Sequence, residues 1–122
     1  MDIDTALKEA MALDGALGAS LVDYDSGMSL GNLGGGKYLN LEVASAGNTE
    51  VVRAKMRTLE SLGLKEQIDD ILITLGRQYH LIRLVTGQGH SGLFLYLALD
   101  KAKANLALAR HHLKRIESEL TV

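Results

Sequence analysis

Apolar residues recur with two different periods along the first part of the chain. From Ile3 to Met11 they lie three and four residues apart, which predicts a helix that Asp2 caps and Asp14-Gly15 ends. From Ala16 to Tyr24 the pattern is typical of a strand. Three of its apolar residues are expected to share one face of that strand, namely Leu17, Ala19 and Leu21.

A hairpin and a glycine-rich segment follow this strand. Asp25-Ser26-Gly27 has the composition of a tight turn, so Met28 to Leu30 is expected to start a return strand beside the first one. The next segment, Gly31 to Lys37, contains four glycines and is predicted to be a loop.

The longest helical pattern lies in the middle of the chain. Asn40 is a favourable N-cap, and the pattern runs to about Leu62, just before Gly63. A helix of about 22 residues is about 33 Å long. This is a long helix for so small a domain, and its surface therefore needs an explanation.

Three more strands are predicted in the second half of the chain, at Ile68 to Leu75, Gln78 to Val85 and Leu93 to Leu99. Short turns at Gly76-Arg77 and Gly87-Gln88-Gly89 separate them. Strands joined by such short turns pair antiparallel. We therefore expect these three strands to be neighbours in one sheet.

A last helix is predicted after Asp100, which is expected to be its N-cap. Its apolar stripe consists of Ala102, Leu106, Ala109, Leu113, Ile116 and Leu120. The predicted order is α-β-β-α-β-β-β-α, and the tight turns exclude an all-parallel sheet. The sequence thus predicts an α+β fold with a five-stranded antiparallel sheet and helices on both faces, as a single domain over residues 1–122.

Composition excludes several classes of function. The formal net charge is -2, so no basic surface points to a nucleic-acid partner, and the absence of cysteine excludes disulfides and thiolate chemistry. The start, Met1 to Asp4, is acidic where a signal peptide is basic, and the longest apolar run, Leu93 to Leu99, is far shorter than the roughly 20 residues that span a bilayer. We expect a soluble cytoplasmic protein without membrane insertion.

One segment imitates a nucleotide-binding loop. Gly31, Gly36 and Lys37 have the spacing G-x-x-x-x-G-K, and Asp100 imitates the acidic strand end that helps to hold magnesium. A nucleotide site needs Ser or Thr after the lysine to bind the metal ion, whereas this chain has Tyr38. The segment also follows a hairpin strand and not a parallel strand with a crossover helix. We interpret it as a plain glycine-rich loop.

No other side chains have the spacing of a catalytic or metal site. The adjacent His111 and His112 point about 100° apart on a helix, and the remaining histidines share no ligand spacing with them. Asp69 and Asp70 fall on opposite faces of a strand or of its lead-in. The sequence therefore predicts no catalytic residue, no metal and no cofactor, and we expect the protein not to be an enzyme.

The long helix has more apolar surface than one sheet face covers. A broad face contains Leu41, Ala44, Val51, Val52, Met56, Leu59 and Leu62, with Asn48 and Lys55 inside it. A track of small side chains runs beside it at Val43, Gly47, Ala54 and Ser61. One interpretation is that Asn48 and Lys55 only reach the rim of the sheet. We favour the other, in which a second subunit covers one surface and Asn48 pairs across a twofold axis.

The pattern resembles the roadblock/dynein light chain family, in particular its small bacterial single-domain members. Five stretches carry the resemblance: Gly15 to Gly27, Asn48 to Lys55, Ile68 to Leu75, Gln78 to Arg83 and Leu93 to Asp100. It covers essentially the whole chain and implies the roadblock fold, which is of the profilin and longin type. It also implies a homodimer in which the long helices lie antiparallel and the third strands pair edge to edge, which would cover an aggregation-prone edge.

The resemblance further implies a function in protein binding. Members of this family bind or regulate Ras-like small GTPases, or scaffold motor and signalling complexes, and they are not enzymes. The dimer interface is then expected at Val43, Gly47, Asn48, Val51, Ala54, Lys55, Ile68, Asp70 and Leu72. The candidate surface for the GTPase is the exposed side of the long helix, at Glu50, Arg53, Arg57 and Glu60, although a solvated charged face explains the same residues.

Two other functions remain open from the sequence. One is a small-ligand sensor of the PAS type with a pocket between sheet and helix, although few aromatic or small polar groups are available to line it. The other is a purely structural scaffold subunit.

Overall fold

The strands and helices follow one another in the predicted order. The computed structural model describes residues 1–87 and 92–122. Its helices are α1 (Ile3–Met11), α2 (Leu41–Ser61) and α3 (Leu106–Glu119), and its strands are β1 (Ala16–Asp23), β2 (Met28–Gly34), β3 (Asp70–Thr74), β4 (Gln78–Val85) and β5 (Leu93–Asp100). The strands form one antiparallel sheet in the order β2-β1-β5-β4-β3, which confirms the predicted fold class and places β2 and β3 at its two edges.

Each face of the sheet has its own core. The core below α1 and α3, called the α1/α3 core, includes Leu7, Leu21, Leu95, Leu97, Leu113 and Ile116. The core below α2, called the α2 core, includes Val22, Leu41, Val52, Ile82, Phe94 and Tyr96. Since β5 is the central strand and is buried on both faces, its continuous apolar run contributes to both cores.

The helix caps agree with the sequence at two of three positions. The Asp2 carboxylate accepts a hydrogen bond from the Thr5 amide, and the Asn40 side chain accepts from the amides of Glu42 and Val43. The third cap is not Asp100, as predicted, because this residue still belongs to β5 and pairs with Gln78. The cap of α3 is Asn105, whose side chain accepts from the Leu108 amide. Ala102 consequently lies exposed in the turn before α3, outside the predicted stripe.

Strand β2 is longer than the predicted Met28 to Leu30. It continues to Gly34, so the first part of the predicted loop is a strand paired with β1. The glycines permit this because α1 packs directly on the backbone of β2. A Cβ atom on Gly31 would lie 2.9 Å from Ile3 Cγ2 and 3.0 Å from Leu7 Cδ1. Glycine at this position therefore serves close packing and not loop flexibility.

Two smaller predictions are also corrected. Leu17 packs in the α2 core and not beside Ala19 and Leu21, because the pairing of β1 with β5 shifts register between Ala16 and Gly18. Strand β3 begins at Asp70 and not at Ile68. Strand β4 has the predicted bounds, and the predicted turn at residues 87–89 lies partly outside the described residues.

Candidate interaction surface

Helix α2 has one buried and one exposed side. Its fully buried residues are Leu41, Ser45, Thr49 and Val52. The hydroxyl of Ser45 donates to the Leu41 carbonyl and that of Thr49 to the Ser45 carbonyl, so both polar groups are satisfied against the sheet. Val51, which was predicted on the same broad face as Val52, is instead 37% exposed. The two adjacent valines thus mark the two sides of the helix.

The exposed side of α2 adjoins an incompletely covered part of the sheet. The backbone of α2 lies mainly over β1 and β2, at one end of the sheet. On the same face, the side chains of β3 and β4 remain only half-buried, at Ile71, Ile73, Gln78 and His80. We define the α2 surface as these four residues and five exposed residues of α2, namely Val43, Gly47, Val51, Ala54 and Lys55. This surface extends to the edge strand β3.

Five of the nine predicted interface residues lie on the exposed side of α2, at Val43, Gly47, Val51, Ala54 and Lys55. Val43 is an apolar side chain that is 68% exposed. A Cβ atom on Gly47 would meet nothing within 4 Å, so packing within this chain does not require a glycine there. Ile68 is half-buried against the α2 core.

Two predicted interface residues face the other side of the sheet. The Asp70 carboxylate accepts two hydrogen bonds of 2.9 Å from the Arg110 guanidinium of α3. Leu72 packs against the α1/α3 core. The structure therefore does not bring these two side chains onto the α2 surface, although both belong to the edge strand. The residues of β3 that do face α2 are Ile71 and Ile73.

A polar network that the sequence did not predict lies beside α2. The Tyr96 hydroxyl lies 3.2 Å from Nδ1 of His80, whose Nε2 lies 2.8 Å from Oε1 of Gln78. Asn48 adjoins the Tyr96 hydroxyl, and its own Nδ2 is buried without a hydrogen-bond partner among the described residues. Burial raises the pKa of Tyr96 to about 12, an effect that Asn48 partly offsets, and burial lowers the pKa of His80.

The four residues predicted to contact a GTPase, Glu50, Arg53, Arg57 and Glu60, are all exposed on α2. None of them makes a salt bridge with another residue in the described part of the chain. Both signs of charge are thus available to a partner on one side of the helix.

Two cavities lie between α2 and the neighbouring strands. The larger one, of about 550 Å³, is formed by the end of α2, the segment before β3 and the end of β4; its apolar lining includes Met56, Leu59, Ile68 and Leu84. The smaller one, of about 460 Å³, has Val51, Lys55 and Ile71 in its lining. The region beside the second half of α2 is therefore concave and largely apolar.

The segment from Gly31 to Lys37, whose spacing matches a nucleotide-binding loop, does not have the geometry of a phosphate site. Strand β2 is antiparallel to β1, and Lys37 lies beside its neighbour, with Nζ 5.4 Å from the centre of the Tyr38 ring. The Asp100 carboxylate accepts a hydrogen bond from the Ala102 amide. Within residues 1–87 and 92–122, no three His, Asp or Glu side chains are grouped as a metal site would require. None of the described helices is both long and apolar enough to cross a bilayer.

Comparison with known proteins gives matches in structure only. No family model and no curated sequence matches the chain. The gliding protein MglB from Thermus thermophilus superposes with a TM-score of 0.78 at 20% identity, over 93% of this chain and 82% of that one. A Roadblock/LC7 domain from Streptomyces avermitilis gives a TM-score of 0.77 at 12% identity, over 96% and 92% of the two chains.

A further similar structure is MglC from Myxococcus xanthus, with a TM-score of 0.61 at 22% identity, over 96% of this chain and 94% of that one. These identities are low, and the superpositions extend over nearly the whole chain. The chain has the roadblock/LC7 fold, as its sequence resemblance implied.

Proposed function

We propose that this protein is a non-enzymatic homodimeric adaptor or regulator, and that its partner is a bacterial Ras-like small GTPase. The observation that carries the proposal is the α2 surface, in which exposed apolar and small residues of α2 adjoin half-covered residues of β3 and β4. One chain leaves this surface open at a sheet edge, and exposed edges of this kind are normally covered or protected. A structure of MglB with a tetrameric arrangement has the same fold, with a TM-score of 0.78 at 20% identity over 93% of this chain and 81% of that one.

In the proposed dimer, two α2 helices lie antiparallel and two β3 strands pair across a twofold axis. Gly47 and Ala54 permit close approach of the helices because their side chains are absent or small. Val43 and Val51 supply the apolar contact. Pairing of the β3 strands satisfies backbone groups that have no neighbouring strand within the described part of the chain.

Light scattering after size exclusion tests the dimer. The parent protein is expected to elute with the mass of two chains at micromolar concentration, and Gly47→Leu is expected to give monomers because its side chain enters the helix contact. A matched control is Ala107→Leu, which adds a similar side chain at an exposed position of α3. A parent protein of monomer mass, or a Gly47→Leu variant that remains dimeric, contradicts the proposed interface.

The GTPase partner requires a separate test. The immobilised protein is mixed with the Ras-like GTPase encoded nearest to it, loaded with GDP or with a GTP analogue. Charge reversal at Arg53 and Arg57 is expected to abolish retention, whereas Lys114→Glu on exposed α3 is expected to preserve it. If the parent protein retains neither the GDP-loaded nor the GTP-analogue-loaded GTPase, the proposed GTPase partner is contradicted. The light-scattering result tests the dimer independently.

A second candidate function is supported by the larger cavity. Its volume of about 550 Å³ lies within the range of small-molecule sites, roughly 300 to 1,000 Å³, and its position between helix and sheet fits a ligand sensor. A thermal-shift screen of small apolar compounds tests it, with Leu59→Trp as the variant that fills the cavity. Stabilisation of the parent protein and not of Leu59→Trp supports this function, and a screen without any stabilising compound removes it.

A further inference from the structure

The hydrogen bonds around His80 are satisfied by its neutral form. The Tyr96 side chain is 1% exposed, and its hydroxyl is placed to donate to Nδ1 of His80 at 3.2 Å. The opposite ring nitrogen, Nε2, then carries the proton and donates to Oε1 of Gln78 at 2.8 Å. In the neutral imidazole this pattern corresponds to the tautomer that carries its proton on Nε2. A protonated ring carries N–H groups at both nitrogens, so the Tyr96 hydroxyl would have to accept from Nδ1 and direct its own proton elsewhere.

The elements around His80 provide little compensation for a positive charge. Strand β3 places Ile73 opposite His80, and β5 places Ala98 opposite it, with Tyr96 as the neighbouring titratable group. Helix α2 contributes Asn48, which is neutral and adjoins the Tyr96 hydroxyl, whereas Lys55 lines the smaller cavity with Ile71. Asp100, an acidic residue on this face at the end of β5, pairs with Gln78 and accepts a hydrogen bond from the Ala102 amide.

The sign of the effect follows from the burial of His80. Burial lowers the pKa of its imidazole from the ordinary value of 6.5. The neutral form is therefore favoured in the folded state, and the associated stability is fully present above pH 6.5 and is lost as the pH falls below it. Any further removal of water from His80 shifts the equilibrium in the same direction.

We propose that His80 makes the association of two chains sensitive to acid, because contact through the α2 surface buries its imidazole further. This inference rests on the proposed homodimer, in which a second copy covers the half-buried residues of β3 and β4. At acidic pH, a protonated His80 then has to lose its proton when two chains associate, or its positive charge has to be buried in the dimer. Asn48 of α2 adjoins the Tyr96 hydroxyl, so the polar network around His80 reaches α2.

The size of the effect has an upper limit. A histidine that must be neutral in the dimer and has a pKa of at most 6.5 in the monomer weakens association by at most roughly tenfold at pH 5.5. Two copies of His80 are present in a homodimer, so the limit for the dissociation constant is roughly a hundredfold. We expect the dissociation constant to rise between pH 7.5 and pH 5.5 by less than this limit of roughly a hundredfold, because burial in the monomer already lowers the pKa of His80.

Sedimentation equilibrium at pH 7.5 and pH 5.5 tests the inference with His80→Gln and with His111→Gln, a control at an exposed histidine of α3. The dissociation constant of the dimer is expected to be higher at pH 5.5 than at pH 7.5 for the parent protein and for His111→Gln. For His80→Gln it is expected to be the same at both pH values. Equal pH dependence in His80→Gln, or none in the parent protein, overturns the inference and leaves the dimer intact. A monomeric parent protein at pH 7.5 overturns both.

A second measurement covers the case in which His80→Gln does not fold. Nuclear magnetic resonance titration of the imidazole in the parent protein is expected to give a lower pKa for His80 at high protein concentration than after dilution to monomers. An identical pKa at both concentrations contradicts the inference.

Discussion

Val51 and Val52 provide a direct test of the two sides of α2, because adjacent residues are assigned to different roles. Val52 is 0% exposed and belongs to the α2 core with Phe94 and Tyr96. Val51 is 37% exposed and belongs to the α2 surface. The same substitution at the two positions therefore separates stability of the fold from association.

The expected magnitudes follow from the buried groups. Val52→Ala removes two buried methyl groups, each worth about 0.8 kcal/mol, and leaves a cavity, so the free energy of unfolding is expected to fall by about 2 to 3 kcal/mol. Val51→Ala is expected to lower it by less than about 1 kcal/mol in the monomer, because much of the side chain is already in water. Val51→Asp is expected to prevent dimerisation, since it places a charge in an apolar contact.

Urea unfolding, monitored by circular dichroism, gives the free energy of unfolding of each variant. Measurements at several protein concentrations separate dimerisation from folding. Light scattering gives the mass of each variant. Equal destabilisation of the monomer by Val51→Ala and Val52→Ala, or a Val51→Asp variant that remains dimeric, contradicts the assignment of the two valines to different sides of α2.

Three further predictions concern the fold and are measured by the same unfolding assay. Asn105→Ala is expected to lower the free energy of unfolding by about 1 kcal/mol, because it removes the α3 cap; no loss would mean that another residue caps the helix. Gly31→Val is expected to destabilise by about 1 to 3 kcal/mol through its clash with α1, and an unchanged stability would contradict the close packing. Glu117→Leu is expected to destabilise by about 3 kcal/mol, because it leaves Arg83 buried without its partner at 3.5 Å. Glu119→Leu is the control: it removes only an exposed salt bridge with Arg115 and should cost less than about 1 kcal/mol.

The order of elements was predictable because its signals are local. Asp2 and Asn40 lie immediately before apolar residues at helical spacing, and both are caps in the structure. Strand β4 alternates between two faces and ends near glycines on both sides, so its bounds agree with the prediction. Such signals depend on the chain's own dihedral preferences and on the side-chain period, which neighbouring elements do not change.

The wrong predictions depended on contacts between distant segments. Asp100 and Asn105 are equally good caps by residue type, and pairing of Asp100 with Gln78 in β4 decides between them. The glycines of β2 carry no alternating side chains, so their strand conformation comes from pairing with β1. The local sequence around Asp100 does not show its pairing with β4, and the local sequence of β2 does not show its pairing with β1.

The candidate surface was predictable at the level of elements but not of every side chain. The helix periodicity identified the exposed track of Val43, Gly47 and Ala54, since a single helix fixes their relative directions. However, it placed the exposed Val51 on the same face as the buried Val52. It did not identify which residues of β3 face α2, because the predicted strand included both faces. The contact of Asn48 with Tyr96 and of Tyr96 with His80 joins three separate elements, so no spacing in the sequence signals it.

Gly47 offers the last test, because its effects on folding and on association are expected to have opposite signs. A glycine inside a helix is less favourable than alanine by about 1 kcal/mol, and a Cβ atom at Gly47 meets nothing within 4 Å in the single chain. Gly47→Ala is therefore expected to raise the free energy of unfolding of the monomer by up to about 1 kcal/mol while weakening the dimer. Unfolding at low protein concentration and sedimentation equilibrium measure the two effects separately. Stabilisation of the monomer without weaker association would mean that Gly47 does not serve helix contact, and would contradict close packing of two α2 helices at this position.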